Sequence, residues 1–314
     1  MKLQIKKAVM IGATVLVLFI VSVIVIFNSY IDHNPKNDAF EIQFPMEMDA
    51  TVTSKTQKIY DVASLQTMVE KEKAYIYYAP SLTDYSIVKK LDANFSEYSE
   101  YEDYPEVRLY LFNDGDADER LEIDKYGCFT YSSSAPDTSF EYPFTDEQTL
   151  KMAKEFLKRY NLLDDSFTVY SISGTMLKDA HSEKIVARKV EFLQKLDDKD
   201  VHGNNRMGVE FNGNGEVTDA YYYVRKYEKK RAVDLISVEE ALQRIDQNKA
   251  LIDMDLTILS SKLTFEKVSI AYWTNNLTYD HTVVQPIYIF EGTSQNHADI
   301  TENFKIAVQA NVLK

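Results

Sequence analysis

Along much of the chain apolar and polar residues alternate with a period of two, the pattern of strands with one buried face. The runs "FTVYSIS", "EKIVARKVEFLQKL", "LTILSS", "FEKVSIAYWTN", "VVQPIYIFEG" and "FKIAVQANVL" all read this way. Two further segments align without a gap. "LEIDKYGCFTY", residues 121–131, and "VEFNGNGEVTD", residues 209–219, place Gly127 against Gly215 and Thr130 against Thr218. Alternation around a glycine-bearing turn predicts a β-hairpin in each.

The period changes to that of a helix twice. "TDEQTLKMAKEFLKRYNLL" opens on Thr145 with Gln148 three residues on, and "SVEEALQRIDQNKALI" opens on Ser237 with Glu240 three on. Both predict capping boxes. Leu150, Ala153, Phe156 and Leu157 fall on one helical face, and Ala241, Leu242 and Ile245 on another. A fainter helix start lies near Ser64 in "SLQTMVEKEKAYIYY".

A helix followed by antiparallel strands therefore recurs. The chain up to Ile31 reads as a cytoplasmic tip and membrane anchor, 32–55 as a linker, and 56–140, 141–233 and 234–314 as three modules. The predicted fold class is α+β: an N-terminal transmembrane helix followed by repeated modules of a helix packed on antiparallel sheet.

The anchor rests on residues 8–31, "AVMIGATVLVLFIVSVIVIFNSYI", which carry no charge. As a helix they would extend roughly 36 Å, more than the about 30 Å of a bilayer's hydrocarbon core. No small-residue cleavage site follows, and Lys2, Lys6 and Lys7 precede the run. Positive charge marks the cytoplasmic side, so the remainder is expected outside the cell. Ala8 and Gly12 are candidates for contact with another membrane helix.

The formal net charge is −14, and the exterior part is more acidic still once the three leading lysines are set aside. That excludes nucleic acid as the main partner. Against this background "RKYEKKR" stands out, and Arg225, Lys226, Lys229, Lys230 and Arg231 are the candidate partner contact. Cys128 is the single cysteine and alternates with apolar neighbours, so no intrachain disulfide is possible and a core role is expected.

No catalytic, cofactor or metal residues are nominated. "NDGDADERLE" fails the EF-hand count, because Glu119 and Lys125 stand where glycine and glutamate are required. The histidines are dispersed, and no nucleophile elbow, P-loop or dinucleotide fingerprint is present. Tyr221, Tyr222 and Tyr223 cannot form one stacking platform, since successive strand residues face opposite sides.

"VVQPIYIFEG" holds a proline that cannot donate to a sheet ladder, so Pro286 is expected near a strand start or on an edge, with Gly292 opening the next turn. Gln285, Pro286, Ile287, Tyr288, Phe290 and Gly292, followed by Val308 and Ala310, resemble the closing hairpin of PepSY-like modules and of YycI-type exterior domains of Gram-positive bacteria. "SVEEALQRI" is similar to the helix that opens such modules. The resemblance implies a membrane-anchored accessory protein acting by contact. YycI-type proteins adjust a sensor histidine kinase, and PepSY-like modules are associated with restraint of proteases.

The expected function is thus a non-enzymatic envelope regulator without cofactor. Its expected partners are an envelope or membrane protein and, through residues 8–31, the lipid bilayer. The alternatives are an envelope hydrolase or ligand-binding protein with a noncanonical site, or a scaffold of an envelope complex.

Overall fold

In the computed structural model of the protein the described residues are 42, 56–79, 97–100, 107–113, 118–133, 141–178, 183–247, 249–253, 260–274, 282–296 and 301–312. The expected membrane segment, with Ala8 and Gly12, lies outside them. Among the described residues no helix is long and apolar enough to cross a membrane. Ala39–Lys314 form one compact unit.

In chain order the strands begin with β1 (Gln57–Ile59), β2 (Ala74–Ala79), β3 (Glu97–Glu100), β4 (Val107–Asn113), β5 (Asp118–Asp124), β6 (Phe129–Ser133), β7 (Phe167–Lys178) and β8 (Glu183–Leu196). They continue with β9 (Lys199–Gly203), β10 (Arg206–Asn212), β11 (Val217–Tyr223), β12 (Glu228–Val233), β13 (Ala250–Asp253), β14 (Ser260–Thr274), β15 (Thr282–Asn296) and β16 (Thr301–Gln309). Three described helices interrupt them: α1 (Val62–Val69), α2 (Asp146–Arg159) and α3 (Val238–Asp246).

This corrects the expected fold class. The described chain is mostly β-sheet with three helices, not a series of modules each built of a helix on its own antiparallel sheet. Strand length is the physical reason. β7, β8, β14 and β15 span 12, 14, 15 and 15 residues, against a usual length of about five or six. β-Bulges beside Ser260 and Phe265 absorb the break that the sequence pattern reads as the end of one strand and the start of the next, and two more, beside Val169 and Thr175, lie within the β7–β8 pair.

The main strand order is β12-β2-β15-β14-β9-β8-β10-β11-β6-β5-β4-β3. β9 is the joint, pairing antiparallel with β8 and parallel with β14. β2 lies between β12 and β15, so residues 74–79 pair with C-terminal strands, while β6 pairs with β11.

Each side of the joint has its own core. α1 and α3 bury Leu65, Val69, Leu242 and Ile245 with Phe265, Tyr288 and Phe290. Ala153 and Leu157 of α2 are buried with Phe192, Met207, Val209 and Phe211. Within the expected linker, Ile42 is buried beside Trp273 and Ile287, and its N–H donates to Gln309 Oε1 at 3.0 Å.

Local chemistry fixes the element ends. The two aligned segments do form hairpins, and they share one turn. Asp124 Oδ1 accepts from the N–H of Tyr126 (2.8 Å) and Cys128 (2.9 Å), and Asn212 Oδ1 accepts from Asn214 and Glu216 (3.0 Å each). Gly127 and Gly215 take φ of 81° and 80°, the left-handed region that favours glycine.

Thr145 and Gln148 complete a capping box. Ser237 accepts from Glu240 N–H, but the Glu240 carboxylate turns to Arg244 at 3.0 Å, so that box is half made. α1 begins before Ser64, capped by Asp61.

Pro286 lies inside β15, on neither an edge nor its first residue. On one side β15 pairs with β14 from Val284 to Asn296; on the other its partner changes from β2, whose last pair with it is Tyr77 opposite Val284, to β16, whose final residue Gln309 lies opposite Ile287. Pro286 C=O accepts from Ala310 N–H at 3.0 Å, so its nitrogen faces the same gap between β2 and β16. No ladder partner is lost there. Gln285, Gln309 and Asn311, all buried, link side chain to side chain at this gap, at 3.3 and 3.4 Å.

Candidate functional site

The sheet of β7, β8, β10, β11 and β6 has one face under α2 and one face of polar residues. Strand register builds the second face in rows. Thr130, Tyr221, Gly208, Glu191 and Ser171 lie opposite one another across the five strands, and Ser132, Asp219, Glu210, Lys189 and Ser173 form the adjacent row.

Glu191 is the centre of the first row. Its carboxylate accepts from the Tyr221 hydroxyl and, at 2.8 Å, from Ser171 Oγ, with Arg206 Nη1 at 3.7 Å. Tyr221 reaches Glu191 across the intervening strand because Gly208 lies between them. A Cβ on Gly208 would stand 2.7 Å from the Tyr221 ring. Burial, then the Glu191 hydrogen bond, push the Tyr221 phenol well above its ordinary range, so it remains a donor.

In the second row Lys189 Nζ bridges Asp219 at 3.4 Å and Glu210 at 3.9 Å, offsetting two carboxylates placed opposite each other. Tyr223 stacks on Tyr221 with ring centroids 5.4 Å apart, and its hydroxyl meets Thr130 Oγ1 at 2.6 Å. Tyr222 points the other way and stacks on Phe129 at 5.8 Å; burial lifts its phenol to about 12. The tyrosine run is therefore split between face and core, as the strand period requires.

Each carboxylate of this face has donors at hand, which suits it to recognition by fixed hydrogen-bonding groups. Tyrosine and arginine are the residues that most often carry binding energy at protein contacts.

Of the five basic residues, Lys226, Lys229, Lys230 and Arg231 are exposed and Arg225 is not. Arg225 is buried, its guanidinium carbon 4.0 Å from the Tyr126 ring centroid. Lys229 Nζ is 2.5 Å from Asp197 and 3.9 Å from the Tyr75 ring centroid. Lys230 lies 5.6 Å over Tyr78. β12, which carries Lys229, Lys230 and Arg231, ends the main strand order and has a bulge between Lys229 and Arg231. Charge on an outer strand discourages a further strand from pairing there.

Asp197 also accepts from Tyr77 Oη at 2.5 Å. Burial pushes the Asp197 carboxyl up, but hydrogen bonds from Lys229 and Tyr77 outweigh it and hold the group below its ordinary 3.8. Its pairing thus stabilises the fold above that value and is lost as pH falls through the lowered one. Substituting Lys229→Met is expected to move the Asp197 titration midpoint upward, read from its side-chain carbonyl by NMR. An unchanged midpoint contradicts the pairing.

Cys128 is buried, and burial together with the neighbouring Asp124 charge pushes its thiol up, away from nucleophilic chemistry. Among the described residues no group of three or more His, Cys, Asp or Glu is placed to hold a metal ion.

No family model matches the chain, and no curated protein matches its sequence. Among solved structures, an uncharacterized protein from Eubacterium rectale is similar at a TM-score of 0.44 and 9% identity, covering 77% of this chain and 85% of that one. The Bacillus megaterium YpeB C-terminal domain is similar at a TM-score of 0.44 and 13% identity, covering 72% and 89%.

Sequence reading missed the polar face. Its signal was present as charge at every second position, Lys189 and Glu191 in one strand and Arg206 and Glu210 in another, separated by Gly208.

Proposed function

We propose that this is a non-enzymatic accessory protein of a Gram-positive envelope, held at the membrane through residues 8–31 and acting outside the cell by contact with another membrane or envelope protein, a sensor kinase or a protease. The reading includes a PepSY-like relationship, on the residues around Pro286. The observation that carries it is the row of Tyr221, Gly208, Glu191 and Ser171, with Arg206 and Tyr223 beside it. The charges of the row are held in place by neighbouring side chains and framed by two tyrosines. Such a face presents preset donors and acceptors to a folded partner without reorganising.

Crosslinking of the tagged full-length protein in cells, followed by mass spectrometry, is expected to recover one sensor kinase or one protease. Arg206→Ala and Tyr223→Ala are each expected to weaken that association at least about thirtyfold, the loss of about 2 kcal/mol seen at interface hot spots. Their unfolding midpoints should change little, because both side chains are partly exposed. Turnover of wall peptide, glycan or phosphate ester by the purified protein would overturn the reading.

A further inference from the structure

β7 differs from β12 and β3, the strands that end the main order. It spans twelve residues, "FTVYSISGTMLK", with one charge, Lys178, and no proline. Among the described strands it pairs with β8 alone. Val169, Met176 and Leu177 are exposed by 38, 53 and 40%. β12 carries Glu228, Lys229, Lys230 and Arg231, and β3 reads "EYSE". Those strands have the charges that guard an edge; β7 lacks them.

We propose that β7 pairs antiparallel with β7 of a second copy of this chain, joining two sheets across a twofold axis at Ser173. A twofold interface must be complementary to itself, and the register of β7 meets that condition. With Ser173 opposite its counterpart, Ile172 falls opposite Gly174 and Ser171 opposite Thr175. Tyr170 is the extra residue of the bulge between Val169 and Ser171. It shifts the count by one, bringing Val169 opposite Met176 and Thr168 opposite Leu177. Without the bulge, Val169 would meet Leu177 on the wrong face.

The apolar pair also matches in side. Val169 and Met176 lie opposite Phe192 and Ile185 of β8, both of which pack in the core under α2. Each copy therefore continues the margin of the other's core. Charge favours this occupant too. Pairing β12 or β3 with itself would bring charged residues of one strand up to those of its copy, whereas β7 brings only Lys178, which is ion-paired with Glu183.

The test uses the full chain in detergent micelles. Residues directly opposite in an antiparallel pair have Cα atoms about 4.5 to 5.5 Å apart, within the range a disulfide needs. Ser173→Cys is therefore expected to oxidise to a covalent dimer at least about tenfold faster than Lys230→Cys on the charged edge. The native Cys128, being buried, stays silent in both. Sedimentation is expected to give twice the 36.2 kDa chain mass after detergent correction. Val169→Lys, at an exposed position, is expected to raise the dimer dissociation constant more than tenfold with unchanged circular dichroism. A monomer at every concentration, equal oxidation of the two cysteine variants, or a dimer indifferent to Val169→Lys each overturns the proposal.

Discussion

Replacing Gly292 by alanine is expected to cost at least about 3 kcal/mol, the upper range for atoms forced into a filled interior. Gly292 lies in the body of β15, where sequence patterning expects a turn, and is paired with Phe265 on one side and Phe304 on the other. The bulge between Phe265 and Lys267 draws the β14 backbone close at this point. A Cβ on Gly292 would stand 1.9 Å from the Thr264 carbonyl oxygen and 3.1 Å from Phe265 Cα. Both obstacles are backbone, so no rotamer change relieves them. Urea unfolding should show a lower midpoint with the slope preserved. A loss below about 1 kcal/mol would mean that the strands separate there at little cost, contrary to a close-packed interior.

Phe290→Ala, two residues earlier on the same strand, is expected to cost about 3 to 5 kcal/mol by leaving a cavity. The side chain is fully buried, edge-on to Phe265 at 5.8 Å and to Tyr288 at 6.2 Å. Tyr288 in turn donates to Ile236 C=O at 2.8 Å, tying β15 to the segment that enters α3. Losing Phe290 therefore loosens the packing of helix on sheet as well as the sheet itself. Because Phe265 contacts both sites, the double variant should fall short of additivity. Full additivity of the two losses would contradict a shared Phe265 contact.

These two positions show how far sequence patterning reached. Hairpin turns and helix starts were legible because each is decided within a few residues: Asp124 and Asn212 cap their own turns, and Thr145 caps its own helix. The fold class was not, because the long strands depend on bulges that only a partner strand can accommodate. Pro286 is the same lesson in one residue. The sequence shows an unusable donor position, but the change of neighbour from β2 to β16 that makes it harmless comes from strands some 200 and 20 residues away. The polar face needed register too: Tyr221, Glu191 and Ser171 meet only once β11, β10, β8 and β7 are aligned.

The basic run was legible as charge but not as structure. Arg225 and Lys229 are held by aromatic rings and by Asp197, and what remains exposed guards an edge. Local composition marks where charge is unusual; the fold decides what it faces.

The most direct test of the contact face compares two sites of capture in cells. A photo-reactive residue is placed in the full-length protein at Tyr223, on the polar face, or at Glu147, exposed on α2 beyond the opposite face. The account predicts that Tyr223 captures a single membrane or envelope protein and Glu147 does not. Capture from Glu147 alone, or equal capture from both, would contradict it.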